Sequence, residues 1–411
     1  MRTYTLWLGI AALLPSVLWA DATPAPAITE TASATSLAEA FHSAWLRHPA
    51  HRGDALRMEA LDARRAAAEA WFPEPPSVAL AHRNDAFNRD QGEREWEAEL
   101  ALPLWLPGQK ERLQESAKSQ TSQYTAELAA TRWRLAGEIR NAWWDALSAK
   151  NEVDLAVRKV EEAGVLLADV TRRVSAGDLA EVDRNQAAAV EQAAKAQLAR
   201  AQVEWRRAQG EFLALTGLRV PTGGAEVPAP ELSGFETHPE WMAARAAVAA
   251  AQAQLNEVQK LTRDAPELSL GYQHEREEYG AGYDGSVRVG IRVPFATAGR
   301  NAPRITSARA ELVEAEATAA RVFERITAEL ETERHALEQA RWVESLAQER
   351  LRLAQDSKER YAKAFRLGET DLLTRLRTES EFFEAELSLL QARIELGRAI
   401  SRFNQAMGIL P

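Results

Sequence analysis

The chain has 411 residues, is 46% hydrophobic and 27% charged, carries a formal charge of −10 and contains no cysteine. That apolar content excludes bulk disorder, and the acidic balance argues against a nucleic-acid binder, which needs a basic face. Without cysteine there is no disulfide framework, thiolate metal site, thiol nucleophile or lipidated cysteine. No apolar run of about 18 residues follows the N-terminus, so on composition alone the chain reads as a soluble helical protein.

In chain order, Arg2 precedes the apolar run Leu6 to Leu14, which Pro15 interrupts and Val17-Leu18-Trp19-Ala20 continues. Small residues at Ala20 and Ala22 complete a cleaved signal peptide over 1–22, cut after one or the other. Residues 23–36, with Pro24 and Pro26, form a flexible lead. A helix from Leu37 to Trp71 is ended by Pro73, Pro75 and Pro76. Two period-two stretches follow, at about 76–87 and 94–105. In the second, Trp96, Ala98, Leu100 and Leu102 share one face, and Glu97, Glu99 and Ala101 the other. Such alternation marks a strand between two unlike media.

After Pro107-Gly108 a very long helix, Gln109 to Ser175, spans roughly 100 Å at 1.5 Å per residue. Its seam runs Leu135, Ile139, Ala142, Ala146, Ala149, Val153, Ala156, Val160, Ala163, Leu167, Val170 and Val174, a heptad pattern rich in alanine that predicts close packing. Gly177-Asp178 breaks it, glycine supplying the positive φ of a helix end. A return helix from Leu179 to Leu215 closes a helical hairpin over 109–216. The return and opening helices, stacked end to end, match the long helix in length.

All of this occurs twice. An offset of 191 relates Pro103 to Pro294, Gly108 to Gly299, Gly177 to Gly368, Phe212 to Phe403 and Gly217 to Gly408. Shared helical composition would match scattered alanines but not these glycines and prolines. Repeat 1 covers 37–217 and repeat 2 covers 238–411, joined by a connector at 218–237 rich in proline and glycine. Repeat 2 has strands at about 266–279 and 283–295 and a helical hairpin over 300–408. Its long seam is less clean, because Glu333, Glu344 and Lys358 fall on it.

No catalytic residue, cofactor site or metal site is expected. Gly280-Ala281-Gly282-Tyr283-Asp284-Gly285 matches a dinucleotide fingerprint but lies between two strands, so it reads as a hairpin loop. His48 and His51 flank Pro49 without a third ligand and read as helix-end residues. His82 and His274 occupy equivalent strand positions at hairpin ends, towards the outer mouth of any pore.

Four strands of about ten residues have transmembrane length. Trp71, Phe72, Trp105 and Phe295 sit at one end of them, and Phe87, Trp96, Tyr279 and Tyr283 at the other, as interfacial girdles do. Open edges are not tolerated in lipid, so several chains must pool their strands. Glu97, Glu99, Arg288 and Arg292 then face a water-filled pore.

The pieces Leu102-Pro103-Leu104-Trp105, Val293-Pro294-Phe295, Arg366-Leu367-Gly368-Glu369-Thr370-Asp371-Leu372-Leu373 and Phe403-Asn404-Gln405-Ala406-Met407-Gly408 resemble those of TolC-type outer-membrane efflux proteins. Gly299 to Pro303 resembles the heavy-metal-efflux (CzcC-like) branch. The resemblance implies a mainly α fold with a small transmembrane β part: a homotrimer with a twelve-stranded β-barrel and a long α-barrel. It implies a passive exit duct for small toxic solutes, metal ions or drugs, in the outer membrane of a Gram-negative cell. Its partners would be outer-membrane lipid, a periplasmic adaptor and an inner-membrane pump. The adaptor-contacting tips would be Ser175, Ala176, Gly177, Asp178 and Leu179, with Leu367, Gly368, Glu369, Thr370 and Asp371. The entrance constriction would draw on Glu181, Asp183 and Asp371. The competing reading is an exported periplasmic coiled-coil scaffold or adaptor, but an adaptor carries one helical hairpin and this chain has two.

Overall fold

The structure, a computed structural model, describes residues 36–87, 90–219, 226–230, 236–295 and 298–411. The expected signal peptide, most of the lead and much of the connector lie outside the described residues. Repeat 1 comprises α1 (Leu37–Arg47), α2 (Pro49–Glu69), β1 (Ser77–Asn84), β2 (Arg94–Pro103), α3 (Gln109–Ala176) and α4 (Glu181–Thr216). Repeat 2 comprises α5 (Pro239–Lys260), β3 (Glu267–Arg276), β4 (Asp284–Arg292), α6 (Ala298–Leu367) and α7 (Leu372–Ala406).

The single opening helix expected over 37–71 is two helices. His48 has ψ 135°, and its Nδ1 accepts the Ala50 N–H at 3.2 Å. Pro49 is the cause: it forces its predecessor out of the helical region and suits the first position of a new helix. Repeat 2 uses the same device, with Pro239 at the start of α5 and His238 Nδ1 accepting the Glu240 N–H at 3.2 Å. Gly108 and Gly299 are not structural equivalents. Gly108 caps α3 at φ 75°, whereas Gly299 lies inside α6.

The long helices α3 and α6 have 68 and 70 residues, on the order of 100 Å each. Every α3 seam residue is buried or half-buried. The seam meets α4 through Ala187, Ala194, Ala201, Ala208 and Phe212, all buried. Small residues on both sides let the backbones approach closely. Within the chain α3 packs against α4, α5 and α7, and α6 against α5 and α7. Gly397 of α7 lies under the Trp144 indole of α3, where any Cβ would collide with the ring.

The main core gathers Trp143, Ile139, Phe212, Trp45 and Phe41 where α1, α3 and α4 meet. There Ser43 Oγ donates to the Thr216 carbonyl at 2.7 Å, so the end of α4 abuts α1. In repeat 2 a Cβ on Gly408, just past α7, would lie 2.8 Å from Pro239 at the start of α5. A short helix and a return helix thus share the length of each long one.

Part of the connector is held at this level by a buried polar network. The Arg140 guanidinium, 2% exposed, donates to Glu226 at 3.0 and 2.8 Å and to the Ile409 carbonyl at 3.0 Å. Ser401 Oγ donates to Glu226 at 2.7 Å, and Trp144 Nε1 donates to Ser401 at 2.9 Å. Asn404 brackets the strap, donating to the Val227 carbonyl at 3.1 Å and accepting the Ala229 N–H at 2.9 Å.

Candidate functional site

The four strands make one antiparallel sheet in the order β1-β2-β3-β4, with β2 and β3 joining the two repeats. Because side chains alternate, the pairing register decides what shares a face. Leu100 stands opposite Val78 and Leu270, and Leu270 opposite Val289. This apolar face is strongly exposed in the single chain, at 79% for Leu80 and 75% for Val287. The other face is polar. Arg288 donates to Glu97 and to Gln273, each at 3.1 Å, and Gln273 donates to Glu95 at 2.7 Å. Arg292 pairs with Glu267 at 3.7 Å. Glu97, Glu99, Arg288 and Arg292 therefore share one face, with Glu99 opposite Gly271 and Gly271 opposite Arg288. Among the described residues, β1 and β4 each have one unpaired edge.

The hairpin loops are fastened to one another. Tyr279 donates through its hydroxyl to Asp90 at 2.8 Å and through its backbone N–H to the Gln91 carbonyl at 2.8 Å. Residues 277–283 are this loop, not a phosphate cradle. His82 and His274 are not on the polar face. His82 stacks on Trp96 at 4.1 Å and His274 on Tyr283 at 4.6 Å, on the apolar side. Two-residue periodicity decides this, since each shares parity with the apolar residues of its strand. At the opposite end, Trp71 and Phe295 are 90% and 91% exposed, and Trp105 Nε1 donates to the Trp71 carbonyl at 3.1 Å.

At the far end of the helices the two breaks are built alike. Gly177 has φ 85° and Gly368 φ 75°. The Asp178 N–H reaches the Arg173 carbonyl at 2.9 Å, and the Glu369 N–H reaches the Ala364 carbonyl at 2.9 Å, the Schellman closure of a helix end. The first return helix starts at Glu181, two residues after the expected Leu179, and the second starts at Leu372. The reason is capping: Asp183 accepts the Ala180 N–H at 3.0 Å, and Asp371 accepts the Thr374 N–H at 2.8 Å. Hydrogen bonding to the Thr374 hydroxyl first, and to its N–H second, holds the Asp371 carboxyl below the usual range. Glu181 pairs with Arg184. Glu181 and Asp371 are exposed, and Asp183 is half-buried.

The two tips are brought together by an apolar cluster of Leu166, Val170, Ala187, Phe365 and Leu372, with Leu179 packed on it. Phe365, 1% exposed, lies between the Arg173 and Arg375 guanidiniums, 4.8 and 4.9 Å from its ring. Just behind, Lys358 pairs with Glu162 of α3 at 2.6 Å and sits 4.0 Å over the Phe382 ring. This accounts for a lysine on the seam: its partner is on the other repeat. Glu344 pairs with Arg393 of α7, within its own repeat, at 3.5 Å. Glu379, paired with Arg375 at 3.1 Å, has its pKa raised by burial.

Sequence reasoning missed Arg140, Arg173 and Glu226, and placed Lys358 on the seam without its partner. A single arginine on a helix face carries no local signal of a partner on another element. Among the described residues no His, Asp or Glu cluster could hold a metal ion, and no helix is long and apolar enough to cross a membrane.

The family profile described as outer membrane efflux protein matches residues 235–409. Protein CyaE of Bordetella pertussis is 27% identical over 329 residues, covering 74% of this chain and 68% of its own length. The fold is similar to that of the outer membrane protein VceC from Vibrio cholerae (TM-score 0.73, 16% identity, 90% of this chain and 96% of that one). It is also similar to CusC (TM-score 0.76, 15% identity, 93% of this chain and 96% of that one). At such identities these two likenesses concern the fold. With the two-faced sheet and the duplicated helical hairpins they converge on one likeness: repeat 2 carries the outer membrane efflux protein profile, and the described chain has the fold shared by VceC and CusC.

Proposed function

We propose that three copies pool their strands into a closed twelve-stranded barrel, the helical hairpins continuing it as a tunnel through which small toxic solutes leave the cell. The observation that carries this reading is the sheet: one face apolar and exposed, the other a network of charges, and both edges unpaired. A free edge in hydrocarbon costs several kcal/mol per unsatisfied backbone group, and closure removes it. Four strands are too few to close alone, because the smallest membrane barrels need about eight. In the closed barrel the apolar face meets outer-membrane lipid, and Glu97, Glu99, Arg288 and Arg292 line the water-filled lumen.

At the other end, residues 175–179 and 367–371 meet a periplasmic adaptor that couples the duct to an inner-membrane pump. Glu181, Asp183 and Asp371, repeated in three copies, give the entrance a negative rim that favours cations. Metal ions are the substrate class that such a rim suits best; a drug-exporting pump is the other reading of the same duct. The test is twofold. Detergent-extracted protein should run as a trimer and insert into planar bilayers as a conducting pore. A deletion strain should become sensitive to divalent metals and be rescued by the intact gene. A protein released in the aqueous periplasmic fraction, with no detergent-soluble oligomer, would refute the duct. Sensitivity to drugs alone would refute the metal assignment.

A further inference from the structure

The register that separates the two faces of the sheet also sorts their charges. Every carboxylate of the four strands falls on the polar face, from Glu95 and Glu97 on β2 to Glu267 and Glu275 on β3 and Asp284 on β4. The apolar face holds no acid in any strand, yet at its loop end it holds two arginines. Arg94 stands directly opposite Arg276 in the β2–β3 pairing. Like charges opposite each other on one face repel. We infer that this pair is a binding site for the phosphate of a lipid headgroup in the outer leaflet. The inference rests on the barrel reading above and adds a ligand to it.

The arginines of the polar face show what the pair lacks. Arg83 is bridged to Glu93 at 2.6 Å and to Glu95 at 3.3 Å, Arg288 to Glu97 at 3.1 Å, and Arg292 to Glu267 at 3.7 Å. Among the described residues neither Arg94 nor Arg276 forms an ion pair, and Arg94 is exposed with no side-chain hydrogen bond. A carboxylate beside them would relieve the repulsion and would also turn away an anionic headgroup. A phosphate relieves it from outside the chain.

The height of the pair suits a headgroup. Along the β2–β3 ladder Leu100 faces Leu270, Trp96 faces His274, and Arg94 faces Arg276. Hydrocarbon, interface and headgroup would meet apolar, aromatic and cationic residues in that order. Arg94 lies two residues beyond Trp96, about 6 Å further along the strand. The long helices leave from the other end of the sheet, so this end faces the cell exterior. Beneath the arginines, the stacked pairs His82–Trp96 and His274–Tyr283 make a flat floor.

Arg276 is also held in place. Its Nε donates to the Gly92 carbonyl at 3.2 Å, and its guanidinium lies 5.2 Å from the Tyr283 ring and 5.6 Å from the Tyr279 ring. Among the described residues its two terminal nitrogens make no hydrogen bond, which leaves a fixed fork of the kind that grips phosphate oxygens. Because β2 and β3 are the inner strands of the sheet, the site is complete within one copy.

The test uses the full chain purified in detergent, with radiolabelled diphosphoryl lipid A as the probe. Arg94→Gln breaks no hydrogen bond or ion pair of the fold and should weaken retention of the probe several-fold. Arg94→Gln with Arg276→Gln should weaken it at least tenfold. Arg94→Lys keeps the charge without the fork and should fall between Arg94→Gln and the unaltered protein. Arg83→Gln, at the same height on the polar face, should bind as the unaltered protein does. Fully dephosphorylated lipid A should bind the unaltered protein no better than the probe binds the double variant. Equal retention by Arg94→Gln, the double variant and the unaltered protein overturns the site, as does equal binding of the dephosphorylated lipid. Displacement of the probe by millimolar inorganic phosphate would mark a site for free anions and overturn the lipid assignment. Conductance in planar bilayers separates the two readings. Pores that conduct normally while binding ignores the arginines leave the duct standing and the site wrong; an unaltered protein that never inserts ends both.

Discussion

Arg173, on the first helical hairpin, reaches the second and donates to the Phe365 carbonyl at 3.3 Å while its guanidinium lies 4.8 Å from the Phe365 ring. It also donates to the Arg366 carbonyl at 3.4 Å, so a cation from one repeat sits on the carbonyls of the last turn of the other repeat's long helix. Removing it should loosen the second tip without unfolding the barrel. In Arg173→Ala, amide exchange over residues 364–371 should quicken several-fold while exchange in the α3–α4 core stays unchanged. Unchanged exchange at the tip would show that the apolar cluster alone holds it.

The tip glycines make a prediction that separates backbone from bulk. No heavy atom lies within 4 Å of a Cβ built at Gly177 or Gly368, so a side chain has room. Their φ angles of 85° and 75° remain costly, roughly 1–2 kcal/mol for an ordinary L-residue and less for asparagine. Gly368→Val should reduce export in cells and Gly368→Asn should largely preserve it, with equal trimer yields. Equal export from the two variants would remove the conformational argument.

Arg140 and Glu226 predict a large loss of stability from a small change. Arg140 is 2% exposed, and breaking such a pair strands a buried charge at a cost of about 3–5 kcal/mol. Glu226→Gln should lower the melting temperature in detergent markedly. Replacing both partners with methionine should recover much of it, since two apolar groups leave no buried charge uncompensated. A double variant as unstable as the single one would count against this.

His238 supplies a pH dependence with a definite sign. It is 1% exposed, burial lowers its pKa from 6.5, and its Nδ1 must be unprotonated to accept the Glu240 N–H. A depressed folded-state pKa means that the unfolded chain takes up the proton first. The stabilisation is present above about pH 6.5 and is lost as pH falls below it. His238→Asn keeps a capping oxygen and cannot titrate. Its melting temperature should vary less than that of the unaltered protein between pH 7.5 and 5.5; parallel curves would rule the histidine out.

On the polar face of the sheet, Arg288→Glu places a carboxylate beside Glu97 and Gln273, which now receive the Arg288 N–H groups. The reversal potential of the reconstituted pore in a salt gradient should shift towards stronger cation preference. No shift would place that face away from the ion path.

Much of the fold was legible because it rests on local chemistry. Pro103, Gly177, Gly217 and their copies mark breaks that any neighbourhood would impose, and parity along β2 and β4 assigns each residue to a face before any partner is known. The split at His48 was legible in principle, since Pro49 announces it, but the helical composition on either side hid it. The candidate site was less legible. Asp183 and Asp371 stood out as acids near the tips, and only the geometry showed that both also cap helices.

The sequence by itself determined the duplication, the lengths of the helices, the places where they turn and the two unlike faces of the sheet, because period and punctuation act within a few residues. Only the tertiary structure decided which repeat face meets which. Arg140 finds Glu226 across 86 positions and Arg173 finds Phe365 across 192, and nothing in either arginine's own helix distinguishes it from its exposed neighbours. Those pairings follow from how the long helices pack, and packing is set by the summed burial of many small side chains rather than by any one of them.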